Sequence, residues 1–334
     1  MKEKCYDLIR SVGILLIIIW HFNTVCCENG FKLPFLLLWN KSGTIQAGGV
    51  GVVLFFCLSG ALLIKKYKEN FNTLQFIKKR LLRIYIPHWI SYVMAFIVSY
   101  SVYANTYTFK SIMGILFSFL GMDYFGESLY AIYNIPTYWL VGEWFTAVIV
   151  ILYCIFPVLR FLYIKREKTT TIIIMLIFIL NLKLQILSYG SGWFSITNGL
   201  FAFWLGMLFE KYKNNINKYT LIGSTLIFIG LLIFNPKQII GFIYLPTFVT
   251  GITLFIMLLH INYSCEVINY LCKYNFEIYL VHHRIFIFLI PLFLKMATTN
   301  IQICLVFIGL IMLTFMVAEK IQIMSNSIIN ICKG

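Results

Sequence analysis

The chain has 334 residues, 60% of them hydrophobic and only 12% charged, with a mean hydropathy of +0.87. No soluble domain of that size has an interior large enough to hide so much apolar surface, so composition excludes one and points to a polytopic membrane protein. The formal charge of +15 reads as membrane-side bias rather than a nucleic-acid footprint, because no soluble stretch remains to carry a basic patch.

The first apolar segment, centred on residues 8–25, carries Arg10 and His21. Eleven residues at 1.5 Å and 100° each give ~16 Å and about three turns, so both side chains share one helix face. An arginine near a membrane surface and a histidine deep in the same helix cost free energy unless they line an interior, a cavity or a reaction path. No small-residue cleavage site follows, and Cys26-Cys27-Glu28 leads into polar loop, so this is a retained helix rather than a signal peptide.

Further apolar stretches centre on 46–65, 84–104, 138–163, 170–189, 194–210, 219–235, 239–260, 275–295 and 301–319, each near the ~20 residues that cross a bilayer. The weaker stretch 109–121 reads as a re-entrant or interfacial helix. The expected fold is therefore an all-α membrane bundle of about ten transmembrane helices, one domain over residues 1–334. With both termini in the cytoplasm, twenty of the 27 basic residues fall on the cytoplasmic side. Residues 105–137 form an external loop in which Tyr103, Tyr107, Tyr124, Tyr130, Tyr133 and Tyr138 flank Asp123 and Glu127. These are either an aromatic belt at headgroup level or a platform for a sugar or lipid-linked acceptor.

Within the second segment, Gly48-Gly49-Val50-Gly51 and Ser59-Gly60 are small residues that let another helix approach, with packing against the first helix the plain reading and ligand contact the other. The link from Lys65 to Arg83 is the most basic stretch of the chain. Its first lysines read as a solvated loop. Lys79, Arg80 and Arg83 instead lead on a helical turn into the third span, where two guanidiniums on one face either grip phosphates or simply signal topology.

Farther on, Trp139-Leu140-Val141-Gly142-Glu143-Trp144 puts a carboxylate about one turn inside an apolar helix, which must be neutral, paired or wet. Tyr279-Leu280-Val281-His282-His283-Arg284 puts three ionisable groups in one span, at most two facing one cavity, with Arg284 a neutralising partner for Glu143 or Glu277. The nine cysteines are scattered without metal-ligand spacing and read mostly as small apolar fillers; no zinc motif, dinucleotide loop or phosphate loop is present.

Taken in order, Asp7-Leu8-Ile9-Arg10 with Trp20-His21-Phe22, Gly49-Val50-Gly51 with Leu54-Phe55-Phe56-Cys57-Leu58-Ser59-Gly60, Phe76 to Ile84 with Pro87, Trp139 to Trp144 with Pro157, Phe203-Trp204-Leu205-Gly206-Met207 and Phe276 to His282 resemble the acyltransferase 3 family. Members of that family O-acylate surface polysaccharides, lipopolysaccharide and related glycans. Leu8 stands where the family usually has glycine, and Asn275-Phe276 where it usually has Tyr-Ser. The resemblance implies acyl transfer, most simply of acetyl from acetyl-CoA, to a hydroxyl of a cell-surface glycan or its lipid-linked precursor, in a bacterial plasma membrane.

On that reading Arg80, Arg83 and Lys79 bind the CoA phosphates, and no metal or nucleic acid takes part. His21 acts as base or transient acyl carrier. Arg10 positions the donor or neutralises Asp7, Glu143 orients His21 or gates the channel, and His282 is a secondary polar contact. The alternative is a transporter of a small solute or lipid-linked sugar, which ten spans and intramembrane charges also fit; no inverted repeat relates the two halves.

Overall fold

The computed structural model describes residues 4–31, 45–103, 109–123, 140–141, 143–184, 188–189, 194–234, 244–295 and 299–332. Their order is α1 (Lys4–Glu28), α2 (Ala47–Tyr67), α3 (Thr73–Tyr103), α4 (Phe109–Phe119), α5 (Glu143–Lys165), α6 (Glu167–Leu184), β1 (Ser188–Tyr189), β2 (Phe194–Ser195), α7 (Ile196–Tyr212), α8 (Lys218–Phe234), α9 (Leu245–Leu259), α10 (Glu266–Lys273), α11 (Asn275–Leu294) and α12 (Asn300–Ile331). Two two-residue strands pair antiparallel, Ser188 opposite Ser195. Among the described residues everything else regular is helical, as expected of backbone that must satisfy its own hydrogen bonds in lipid.

Each of the ten apolar segments holds a helix, and among the described residues six helices are long and apolar enough to cross a membrane: α1, α2, α3, α5, α11 and α12. Two more apolar helices, at 218–233 and 245–259, are shorter. At 1.5 Å per residue the eleven residues of α4 reach ~16 Å, about half a hydrocarbon core, which agrees with an interfacial or re-entrant helix.

The helices group into two compact units, each drawn from three separate stretches of chain. The first takes Met1–Trp20, Leu36–Thr73 and Ile151–Lys273; the second takes His21–Phe35, Leu74–Val150 and Tyr274–Gly334.

In the first unit α2 is the most buried of the six long helices, and its glycines explain why. A Cβ on Gly51 would lie 2.5 Å from the Gly13 carbonyl oxygen, and one on Gly48 would lie 2.6 Å from the Trp20 ring, so α1 closes on α2 only because those side chains are absent. On another face the approach is closer still. A Cβ at Gly60 would sit 1.9 Å from the Phe203 carbonyl oxygen, and one at Gly206 would sit 1.8 Å from that of Cys57. Each helix thus offers a glycine to the other's carbonyl, the backbone-to-backbone contact that small residues permit. At the end of α2, Arg160 donates to the carbonyls of Tyr67, Lys68 and Glu69, acceptors that the helix itself leaves without an intrahelical donor. Nearby, Glu210 accepts from Tyr6 and pairs with Lys213 (3.2 Å) and Lys65 (3.9 Å). Lys65 is therefore the last turn of α2 with an acidic partner rather than a solvated loop.

In the second unit α3 holds α4 by its open end. His88 Nε2 donates to the Ser118 carbonyl (3.0 Å) and Trp89 Nε1 to that of Phe119 (3.0 Å), filling two acceptors at the α4 C-terminus. Trp89 also stacks on Phe119, ring centroids 5.1 Å apart. The chain then turns through Gly121 (φ +65°), and Asp123, buried, accepts from Ser118 Oγ. A capping box of Thr299 and Gln302 starts α12. Of the proposed aromatic platform, Asp123 is thus turned into the protein. Tyr107, Tyr124, Glu127, Tyr130, Tyr133 and Tyr138 lie outside the described residues.

Candidate active site

α1 runs unbroken from Lys4 to Glu28 and carries Asp7, Arg10 and His21. In the first unit, one turn of this helix brings Asp7 and Arg10 together, Nη1 to Oδ1 at 3.0 Å. Cys272 at the end of α10 completes a triangle: its thiol donates to Asp7 Oδ1 (3.0 Å) and accepts from Arg10 Nη1 (3.2 Å). Burial pushes the Cys272 thiol above the usual range, so it stays protonated and serves as donor to the carboxylate. Ser11 ties the same turn to α10 through the Ile268 carbonyl at 3.0 Å. Arg10 is therefore a cation balanced by Asp7, and its side chain is 29% exposed. Sequence reading anticipated the Asp7 pairing and missed Cys272, which nothing local in sequence links to α1.

In the second unit the histidines gather. His21 Nδ1 and His282 Nε2 are 2.8 Å apart, a hydrogen bond across 261 residues of chain. His283 stacks on His21, centroids 4.4 Å apart and planes inclined by 20°. His282 is fully buried, and its Nδ1 faces the carbonyls of Ile278 and Tyr279, one turn back along α11. Phe22, next to His21, packs edge-on against Phe286 and beside Phe307, which fixes how the last turns of α1 within this unit rest on α11 and α12. One edge and one face of the His21 ring are thus governed by neighbours while the residue itself remains half-buried. The partner at Nδ1 is His282, to which sequence reading gave the lesser role. Nothing but the adjacent His282-His283 pair in sequence signalled that both would reach one imidazole.

Arg284, expected to neutralise Glu143 or Glu277, donates from Nε to the Leu140 carbonyl (3.0 Å) and sits over Phe288 at 5.7 Å. Glu143 is the first residue of α5; its side chain lies outside the described residues, as do Trp139 and Gly142. Lys79, Arg80 and Arg83 lie on the first turns of α3, which continues into the apolar span as expected. Lys79 and Arg83 are exposed; Arg80 is half-buried, its guanidinium 5.8 Å over the Phe76 ring. Pro87, one turn beyond, has no N–H to give the Arg83 carbonyl. An exposed and a half-buried guanidinium three residues apart carry the planar donor groups whose chemistry takes phosphate oxygens.

The acyltransferase 3 family model, described as an acyltransferase domain, matches residues 3–319, and the chain belongs to that family. Over 84 residues it is 30% identical to an "O-acetyl transferase" of Shigella phage Sf6, a match covering 25% of this chain and 23% of the phage protein. No solved structure matches the chain.

Proposed function

We propose that the protein transfers an acyl group, acetyl in the first instance, from acetyl-CoA to a hydroxyl of a cell-surface glycan or its lipid-linked precursor, in a bacterial plasma membrane that it crosses several times. The observation that carries this reading is the half-buried imidazole of His21 held at 2.8 Å by a second imidazole, in a chain of an acyltransferase family. The "O-acetyl transferase" name of the phage relative supports the choice of acetyl and of an oxygen acceptor.

In the proposed step His21 takes the proton of the acceptor hydroxyl as its oxygen attacks the thioester carbonyl carbon. The C–O bond forms, the C–S bond breaks, and the proton on His21 passes to the departing CoA thiolate, so the imidazole ends as it began. Arg80, Arg83 and Lys79 hold the CoA phosphates on the cytoplasmic side. Arg10, its charge balanced by Asp7, positions the donor, and Glu143 takes part near the start of α5.

The test is release of free thiol from acetyl-CoA by purified protein, dependent on a glycan acceptor, with and without His21→Ala. Acceptor-dependent thiol release that falls at least a hundredfold in the variant is expected. Unchanged turnover in His21→Ala removes the base, and solute transport without thiol release replaces the enzyme reading with a transporter. Mass spectrometry of surface glycans from cells with and without the gene then names the acyl group and its acceptor.

A further inference from the structure

A neutral imidazole has one N–H and one lone pair, and its neighbours decide which nitrogen holds which. His282 Nδ1 lies 3.1 Å from the Ile278 carbonyl oxygen and 2.9 Å from that of Tyr279. Carbonyls only accept, so the hydrogen of His282 is on Nδ1 and its Nε2 is bare. That bare nitrogen faces His21 Nδ1 at 2.8 Å. Two lone pairs do not meet at that separation, so the bridging hydrogen belongs to His21 Nδ1 and the lone pair of His21 is on Nε2.

We infer that His282 is a positioning residue that locks His21 as its Nδ1–H tautomer, making Nε2 of His21 the atom that receives the acceptor proton. This rests on His21 being the base. The instruction starts in backbone: two carbonyls of α11 set the polarity of His282, and His282 sets that of His21. His283, stacked at 4.4 Å, covers a face of the same ring and opposes its rotation out of the hydrogen bond. The roles match those of a hydrogen-bond acceptor behind any catalytic histidine, with a neutral imidazole in place of a carboxylate. A neutral acceptor suits a membrane interior, since it orients the base without introducing a buried anion. Proton bookkeeping is unchanged: the acceptor's proton arrives at Nε2 and leaves from Nε2 to the thiolate, while the Nδ1 hydrogen stays in its bond to His282.

The experiment compares kcat and KM for acetyl-CoA in His282→Leu, which has no acceptor, and in His282→Gln, whose amide oxygen offers one in the region of the lost Nε2. Leucine is expected to lower kcat about a hundredfold while KM changes less than about threefold, and glutamine to recover about tenfold of that loss. In histidine-labelled parent protein, solid-state 15N spectra, with the His21 signals assigned by their disappearance in His21→Ala, should show a protonated Nδ1 and a bare Nε2. A kcat within about threefold of the parent in His282→Leu, or a protonated Nε2 on neutral His21 in the parent, overturns the positioning role while leaving His21 as base. Full turnover in His21→Ala overturns both. Should the leucine variant fail to fold, the parent's 15N tautomer decides, and a glutamine variant that folds yet turns over no faster than His21→Ala counts against the lock.

Discussion

Replacing Gly206 by alanine tests the closest approach among the described glycines. The added Cβ would fall 1.8 Å from the Cys57 carbonyl oxygen, 2.5 Å from its carbon and 2.7 Å from its Cα, all backbone atoms that no rotamer change can move. Reaching ordinary contact near 3.4 Å requires α2 and α7 to part by about 1.6 Å, and a gap of 0.5–1 Å already forfeits a quarter to a half of each dispersion contact across a packed face. Because helix association in lipid rests on such packing, the loss should be about 3 kcal/mol, the upper end of what overpacking costs. That corresponds to a fall of roughly 5 °C or more in apparent melting temperature. Gly223→Ala is the matched control: nothing lies within 4 Å of its added carbon, and exchanging glycine for alanine within α8 should be neutral or stabilising by up to about 1 kcal/mol. Thermal unfolding of the two variants in detergent, followed by fluorescence-detected size exclusion, gives both numbers. A Gly206→Ala protein that melts within about 1 °C of the parent, or a Gly223→Ala protein that falls as far, would refute the close-approach reasoning.

Arg80→Ala and Arg83→Ala should each raise the apparent KM for acetyl-CoA severalfold with kcat nearly unchanged, because phosphate contacts remote from the acyl carbon contribute uniform binding; steady-state kinetics with an unchanged KM in both reduces the pair to a topology signal. Glu143→Gln keeps size and hydrogen bonding but removes charge; a large fall in kcat at normal expression would place it in the mechanism, and misfolding would mark it as partner to a buried cation. A variant retaining only Cys26 and Cys27 should be labelled by an impermeant thiol reagent from outside the cell, at the exposed Cys27 rather than the buried Cys26; labelling only after permeabilisation would invert the topology.

Features that depend on local periodicity were readable before the fold was known. Helices sit at each apolar segment, α4 is short, and Gly48 and Gly51 meet α1, because bilayer thickness and side-chain size act within a turn or two of chain. The Asp7–Arg10 pair was legible for the same reason, being an i,i+3 contact. What sequence left hidden is long-range. His21 and His282, or Arg10 and Cys272, are more than 250 residues apart, and no periodicity encodes which helix faces which. The same holds for Gly60 of α2 and Gly206 of α7, which meet each other's helix, whereas sequence pointed the small residues of the second segment toward the first helix. Among the described residues six helices meet length and apolarity together, while others such as 245–259 are apolar over 15 described residues.

The reciprocal glycine contact between α2 and α7 also constrains how the protein is made. Synthesis delivers α2 about 150 residues before α7, at a pace of some 5–20 residues per second. For roughly ten seconds or longer the nascent helix stands in the bilayer with its glycine furrow and the Cys57 carbonyl facing lipid or an insertion factor instead of α7. Premature closure with another small-residue helix is the hazard of that interval. Ribosome pausing, an early stop before residue 196, or loss of an insertase should therefore harm this chain through a waiting, self-adhesive α2 well before any ionisable side chain is at issue.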